Sequence, residues 1–435
     1  MHDVLDPADT VPDELEELTT SGFRVPDAIR AAVLDAARLR DAPRLRELSR
    51  ALAREAERDP AWPYTEPEDL PGILAAMPGS AADRSPLPWE ELSSRVRGAW
   101  LARCAGCCLG KPLEGLTPSQ IRAYLHAAGA WPLRDYVPLL DPLPDGIERL
   151  NPSWRTATLG RVDGMPRDDD IDYTILALHL VETYGRDLRV EDIAREWLDK
   201  LPFLQTFTAE RATYRNIVSG VPVMDAARHE NPYREWIGAL IRADLFGYIN
   251  PGEPRAAAEL AFTDASLSHT ANGVYGEMWA AALVAEAFTA TTTGQAVRRS
   301  AGWIPSGSRL ASTVRHVIAL HDANATWSDA ITWIDETFAD HSWVHTLNNA
   351  AVIAAALLWG ADDIALTLGL GVQAGLDTDS ATATIGSVLG AVHGAEALPD
   401  HLIAPLRDTV SSAVRGYDGS RISDLAERTL ALMRR

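Results

Sequence analysis

The sequence has little cysteine, a deficit of positive charge and no long uninterrupted apolar run, and each shortage narrows what the chain can be. Only three cysteines occur in 435 residues: Cys104, Cys107 and Cys108. The spacing Cys104-x-x-Cys107 suits a redox pair or half of a zinc site, yet no second pair exists to complete one. The flanking sequence reads as a small-residue helix, so buried structural cysteines are the expectation. Lysine and arginine number 40 against 61 acidic residues, a formal charge of −21. That balance repels nucleic-acid phosphates and argues against a nucleic-acid partner. A nucleotide-like ligand stays allowed, because a bound cation inverts the local field. Polar residues punctuate every apolar run before a membrane span is reached. The start, Met1-His2-Asp3-Val4, is acidic and lacks the apolar centre of a secretory leader. A soluble, cytoplasmic protein with no membrane partner is expected. Convincing alternating strands are absent, as is any βαβ rhythm with a phosphate loop.

What remains is helical. The apolar fraction of 46% and charged fraction of 23% are those of an ordinary globular chain, long enough for a sizeable core. Residues 1–90 differ in texture. Ile29, Ala32, Val33, Ala36 and Leu39 recur at helical spacing, and seven prolines between Pro60 and Pro88 then predict an extended tether. We read 1–90 as an N-terminal helical appendage and 91–435 as the catalytic domain. In the latter, Gly98, Ala102, Gly106 and Gly110 recur every fourth residue, as do Gly386, Gly390 and Gly394. Glycine inside a helix costs roughly 1 kcal/mol relative to alanine, so two such stripes predict helices whose backbones meet. Lys111-Pro112 should end the first helix and leave Glu114 in the loop beyond it. Further helices are expected over Asp172–Tyr184, 256–265, 274–290, 309–320, 346–359 and 363–373. The fold class is all-α, a compact orthogonal multi-helix domain.

Two acidic stretches stand at predicted helix starts. Asp168-Asp169-Asp170 precedes one buried helix, and Asp377-Thr378-Asp379-Ser380 opens another some two hundred residues later. A single Asp at such a place caps free N–H groups and complements the helix dipole. Three in a row exceed that need, and like charges so close raise one another's pKa unless a cation compensates them. Hard cations such as Mg²⁺ take carboxylate and hydroxyl oxygens. Both readings, capping and cation binding, are open from the residues alone. Ser268-His269-Thr270-Ala271-Asn272-Gly273-Val274-Tyr275-Gly276 forms a third constellation, in which His269 reads as a ligand donor, a general acid or a capped core histidine. Trp343-Val344-His345-Thr346-Leu347-Asn348-Asn349 is a fourth, read as helix-start chemistry.

The order Gly106-x-x-x-Gly110-x-x-x-Glu114, an Asp-Asp pair opening a helix, Ser268-His269 with Tyr275-Gly276, then Gly375-x-Asp377-Thr378-Asp379-Ser380 resembles the ADP-ribosylglycohydrolase family over roughly residues 92 to 420. The resemblance implies an all-α domain with a binuclear Mg²⁺ centre, Mn²⁺ being an alternative. Asp168, Asp169 and Asp170 would face it from one side, and Asp377, Asp379 and Ser380 from the other. Glu114 would lie near the substrate ribose, and His269 would line the ADP-ribose cleft. Asp168 stands where many members have Thr, and Cys107 where many have Asp. The usual Gly-Asn-Gly substrate loop is replaced by the Trp236–Asp244 stretch.

The activity implied is hydrolysis of an N- or O-glycosidic bond at the distal ribose C1 of an ADP-ribose conjugate or ADP-ribosylated protein. Such chemistry needs a fixed ribose and an activated water, with Asp169 or Glu114 as base or proton shuttle. Arg242 and the helix start at His269-Thr270 are the candidates for a pyrophosphate, Tyr275 or Trp236 for stacking on adenine, and Asn272 for a further polar contact. The rivals are a same-fold hydrolase of a small nucleoside or sugar conjugate, a non-catalytic ADP-ribose-binding protein, and a phosphoesterase.

Overall fold

The computed structural model describes residues 5–80 and 86–434. Its centre is a pair of long helices, Trp89–Gly110 and Thr378–His393, whose small-residue faces meet backbone to backbone. A Cβ built on Gly106 would lie 2.1 Å from the Thr382 carbonyl oxygen, and one on Gly386 2.1 Å from that of Ala102. Only glycine permits so close an approach. Threonines fix the register: Thr382 Oγ1 donates to the Gly106 carbonyl at 2.7 Å and Thr378 Oγ1 to that of Gly110 at 2.8 Å. The end of one helix is thereby held against the start of the other, which places Glu114 beside Asp377 and Asp379.

The helix Asp169–Tyr184 is buried on most sides and stops at Gly185, whose φ of 72° is a conformation glycine adopts without strain. Buried Arg103 ties it to the central pair. Its guanidinium donates to Thr174 Oγ1 at 2.9 Å and to the Asp170 carbonyl at 2.8 Å, and it forms an ion pair with Asp244 at 2.8 Å. Helices Pro254–Ala265, Ala271–Ala287, Arg309–Asp322, Thr346–Trp359 and Ile364–Gln373 complete the surrounding layers. The expected helices are therefore present, with starts shifted by a few residues where a cap lies upstream. Pro118–Ala127, Val190–Lys200, Thr208–Val218, Trp327–Thr337 and Ile422–Leu432 were not anticipated. They are half-exposed amphipathic helices, whose apolar signal is diluted by polar neighbours.

The N-terminal segment forms helices α1 (Pro7–Thr20), α2 (Asp27–Arg38) and α3 (Ala42–Glu55). Strands β1 (Phe23–Arg24) and β2 (Glu57–Arg58) pair antiparallel between them, the one sheet among the described residues. Val11, Leu15, Val33, Leu45, Leu48 and Leu52 make a small core of its own, separate from the main core. The proline-rich stretch is not a free tether. Its Ile73 is buried in the main core on a short helix, Leu70–Ala76. Thr65 N–H donates to the Gly307 carbonyl and Gly79 N–H to that of Gly302. Proline removes helix-forming donors, and the N–H groups that remain find partners on the domain surface. No described helix is long and apolar enough to cross a membrane.

Candidate active site

Asp168 is the N-cap of the Asp169–Tyr184 helix: its Oδ1 accepts the Asp170 N–H at 2.9 Å. Its other oxygen meets the ammonium of Lys111. Capping thus accounts for one acidic residue and leaves the next two. Asp170 is buried; its Oδ2 accepts from Ser380 Oγ at 3.3 Å and lies 4.0 Å from Cys107 Sγ, while its Oδ1 has no hydrogen-bond partner. Asp169 is half-buried beside it. From the other side, Gly375 and Leu376 turn through left-handed backbone, φ 71° and 64°. For leucine that geometry is strained, as backbone at functional sites often is. It delivers Asp377, whose N–H donates to Asn349 Oδ1 at 3.2 Å but whose carboxylate caps nothing. Oxygens of Glu114, Asp377 and Asp379 lie within 4.8 Å of one another, and so do ligand atoms of Cys107, Asp168 and Asp170. Asn151 Nδ2 holds Glu114 Oε2 at 2.5 Å.

The electrostatics follow from this crowding. Burial first, and then the charge of Asp379, push the carboxyls of Glu114, Asp170 and Asp377 well above the ordinary range. Burial also raises Asp169, again with Asp379 adding to it. Burial opposes the charge on Lys111, but Cys107, Asp379, Glu114 and Asp169 around it raise its pKa overall. One ammonium facing so many carboxylates leaves an excess of negative charge, which a multivalent cation would neutralise. The donors are hard oxygens of the kind such cations take. The unpartnered Asp170 Oδ1 fits that use.

The ADP-ribosylglycohydrolase family model matches residues 88–435. The chain belongs to the ADP-ribosylglycohydrolase family. A solved structure described as an ADP-ribosylglycohydrolase-related protein complex is similar at 19% identity, covering 79% of this chain and 99% of that one, with a TM-score of 0.45. A curated relative, the bifunctional enzyme IspD/IspF of Clavibacter michiganensis subsp. michiganensis (strain NCPPB 382), is 30% identical over 197 residues. That match covers 40% of this chain and 48% of the relative, so the chain spans about half the length of the curated relative it matches.

The structure brings Glu114, Asp168, Asp169, Asp170, Asp377, Asp379 and Ser380 together, but not the other residues expected to touch substrate. Arg242 is buried in a cluster of its own, paired with Glu210 at 3.0 Å, Asp264 at 2.6 Å and Glu277 at 3.4 Å. Its charge is taken by carboxylates of the core, not aimed at a pyrophosphate. His269 is buried, with Nδ1 on Ser268 Oγ at 2.8 Å, and burial followed by the charge of Arg242 lowers its pKa well below the usual value. It is a neutral core histidine. Tyr275 gives its hydroxyl to the Pro67 carbonyl, and Asn272 donates to Glu66 at 2.8 Å and Glu235 at 3.1 Å. Both lie under the proline-rich strap. Trp236 packs its buried ring on Tyr233 at 4.6 Å.

A different surface adjoins the acidic centre. A cavity of about 330 Å³ is lined by Trp343, Phe338, His341, Leu116, Asp335 and Asn348 among others, and it reaches Gly115 and Leu376, the neighbours of Glu114 and Asp377. Lys111 and Asn151, which meet Asp168 and Glu114, gave no signal in the sequence, since neither sits in an acidic motif. Trp343 and Asn349 lay in the fourth constellation, where the aromatic and the Asn pair were the available signal.

Proposed function

We propose that this family member hydrolyses an N- or O-glycosidic bond at C1 of a ribose held at the acidic centre, its substrate being an ADP-ribose conjugate or ADP-ribosylated protein. The observation that carries this reading is the cluster of buried Asp170, Asp377 and Asp379 with half-buried Glu114 and Asp169, which Lys111 only partly neutralises. Asp169, Asp170, Asp377, Asp379 and Ser380 would hold two divalent cations, Mg²⁺ or alternatively Mn²⁺, with Asp168 and Cys107 at the margin. Bound there, the cations would supply the positive charge that fixes ribose hydroxyls and lowers the pKa of water. Glu114, oriented by Asn151 and with its carboxyl pKa raised by burial and then by Asp379, is suited to pass a proton between water and the leaving group. Asp169 keeps an open face and is the alternative base. A purely structural descendant has no reason to keep this uncompensated charge, which disfavours a non-catalytic binder.

A second reading, hydrolysis of a small nucleoside or sugar conjugate, is favoured by the engagement of Arg242, Tyr275 and Asn272 elsewhere. The test is turnover of ADP-ribosylated arginine and serine peptides, O-acetyl-ADP-ribose and simple nucleosides, with Mg²⁺ and with chelator. Turnover that survives chelation, or that Asp377→Asn leaves unchanged, would sink the metal-centre reading.

A further inference from the structure

We infer that the Lys111 ammonium acts as a built-in cation on one side of the acidic centre and makes its two ion positions unequal. The position on the Asp377–Asp379 side fills first, and the one on the Asp168–Asp170 side fills only weakly. The inference rests on the cation-binding reading above and says in what order, and by which residue, that binding is controlled.

Position comes first. Gly110 ends the Trp89–Gly110 helix so close to the start of the Thr378–His393 helix that a Cβ on it would stand 2.3 Å from the Thr378 carbonyl oxygen. Lys111 follows on the tight turn Lys111–Leu113, buried, with its ammonium on Asp168 Oδ2. That contact engages the second oxygen of Asp168, whose Oδ1 already accepts the Asp170 N–H at 2.9 Å. Asp170 Oδ2 accepts from Ser380 Oγ at 3.3 Å, and Cys107 adds only a thiol, a soft donor where a hard cation takes oxygen. Asp170 Oδ1, with half-buried Asp169 beside it, is the buried oxygen left without a partner on this side.

Charge then sets the order. Two guanidiniums stand behind the same side as Lys111: Arg103 donates to the Asp170 carbonyl at 2.8 Å, and Arg167 pairs with Asp172 at 2.7 Å. Across the centre, oxygens of Glu114, Asp377 and Asp379 lie within 4.8 Å of one another. Among the described residues, none of those three carboxylates is in an ion pair, whereas Asp168 is. A divalent ion at Asp377 and Asp379 therefore displaces no ammonium from its ligands. An ion at Asp168 and Asp170 stands beside Lys111 and must either drive it off or bear its repulsion. Lysine suits a displaceable charge, being compact and carried on a flexible four-carbon stem, where a planar guanidinium would be held by several fixed hydrogen bonds. Lys111 is thus a positioning residue, acting on the substrate only through the ions it admits.

Calorimetric titration of the whole chain with Mg²⁺ tests this, and Mn²⁺ paramagnetic resonance provides a check that needs no variant. The parent should bind one ion about tenfold or more tightly than a second, the scale on which groups around a metal alter its affinity. Lys111→Met removes the charge at similar length; it should tighten the second step about tenfold and change the first less than about threefold. Lys111→Arg keeps a charge there and should leave the second step within about threefold of the parent. At one equivalent of Mn²⁺ the parent should show isolated ions, with the coupled signal of an ion pair only in excess. Two ions of equal affinity in the parent, a coupled signal at one equivalent, or a second step that Lys111→Met leaves unchanged would each overturn the inference. The two readings fail separately. Equal ions with metal-dependent turnover remove this inference alone, whereas a parent and a Lys111→Met variant that bind no divalent ion at millimolar concentration remove the metal centre and this inference with it.

Discussion

Two groups of buried charge lie in this helical core, and they differ in how they are balanced. Around Arg242, the carboxylates of Glu210, Asp264 and Glu277 face a guanidinium that is itself stacked near Tyr173 and Trp197, at 5.5 and 5.1 Å. Around Asp377 and Asp379, the carboxylates of Glu114, Asp169 and Asp170 face each other, with Lys111 among them and Arg167 and Arg103 acting on Asp169 and Asp170 from their own ion pairs with Asp172 and Asp244. In the first group each carboxylate pairs with the one guanidinium, and the neighbours hold Arg242 strongly protonated, although burial and then Asp264 push the Glu277 carboxyl well above the ordinary range. The second stores repulsion that folding alone does not relieve. Uncompensated charge in a buried cluster is what marks a site apart from a structural ion network, even where both perturb pKa values.

Breaking the balanced group should have the largest effect. Arg242→Met strands three carboxylates in the core, and removing one partner of a buried ion network costs about 3–5 kcal/mol. Urea unfolding should register that loss, and a change under about 1 kcal/mol would mean the network is not structural. The unbalanced group should respond in the opposite direction. Asp377→Asn relieves repulsion, so the cation-free protein should unfold at the same or a higher temperature than the parent. Its turnover should nonetheless fall about a hundredfold or more, since each tenfold corresponds to about 1.4 kcal/mol of lost transition-state stabilisation. Paired calorimetry and kinetics check both halves, and a variant that is both less stable and still active would erase the distinction.

The pH dependence sharpens it further. Glu114, Asp169, Asp170 and Asp377 all have folded-state pKa values above those of the unfolded chain. The native state then keeps protons that the unfolded chain releases from about pH 4 upward, so their contribution to stability falls as pH rises from there through the folded values. Melting temperature of the cation-free protein should fall across that window, and Mg²⁺ should restore most of the loss by replacing protons with bound charge. Equal pH slopes with and without Mg²⁺ would separate the cluster from any cation. The smallest effect is expected at Cys107, whose thiol burial holds well above its ordinary pKa and keeps neutral. Cys107→Ala should alter Mg²⁺ affinity less than tenfold, below the roughly 10–100-fold that loss of a group orienting a ligand costs; stoichiometric zinc lost with the thiol would contradict this.

The acidic motifs, the glycine stripes and the helix ends were legible in the chain because each obeys a local rule. A cap, a period of four and a proline stop act over a few residues, and so Asp169, Asp170, Asp377 and Asp379 could be singled out before any fold existed. The same locality could not place His269, Asn272, Tyr275 and Arg242. Their types suit a ligand, but whether a side chain meets a ligand or another part of the protein depends on what packs over it. Glu66 and Pro67, some two hundred residues away in sequence, cover Asn272 and Tyr275, and Asp264 and Glu277 take Arg242. The pocket of Trp343, Phe338 and His341 had no sequence signature either, because its walls come from separate segments. By itself, then, the sequence determined an all-α chain and which carboxylates crowd two helix starts. Only the tertiary structure decided which charges are compensated, since the Coulomb energy of a buried group depends on neighbours that the chain brings from far along its length.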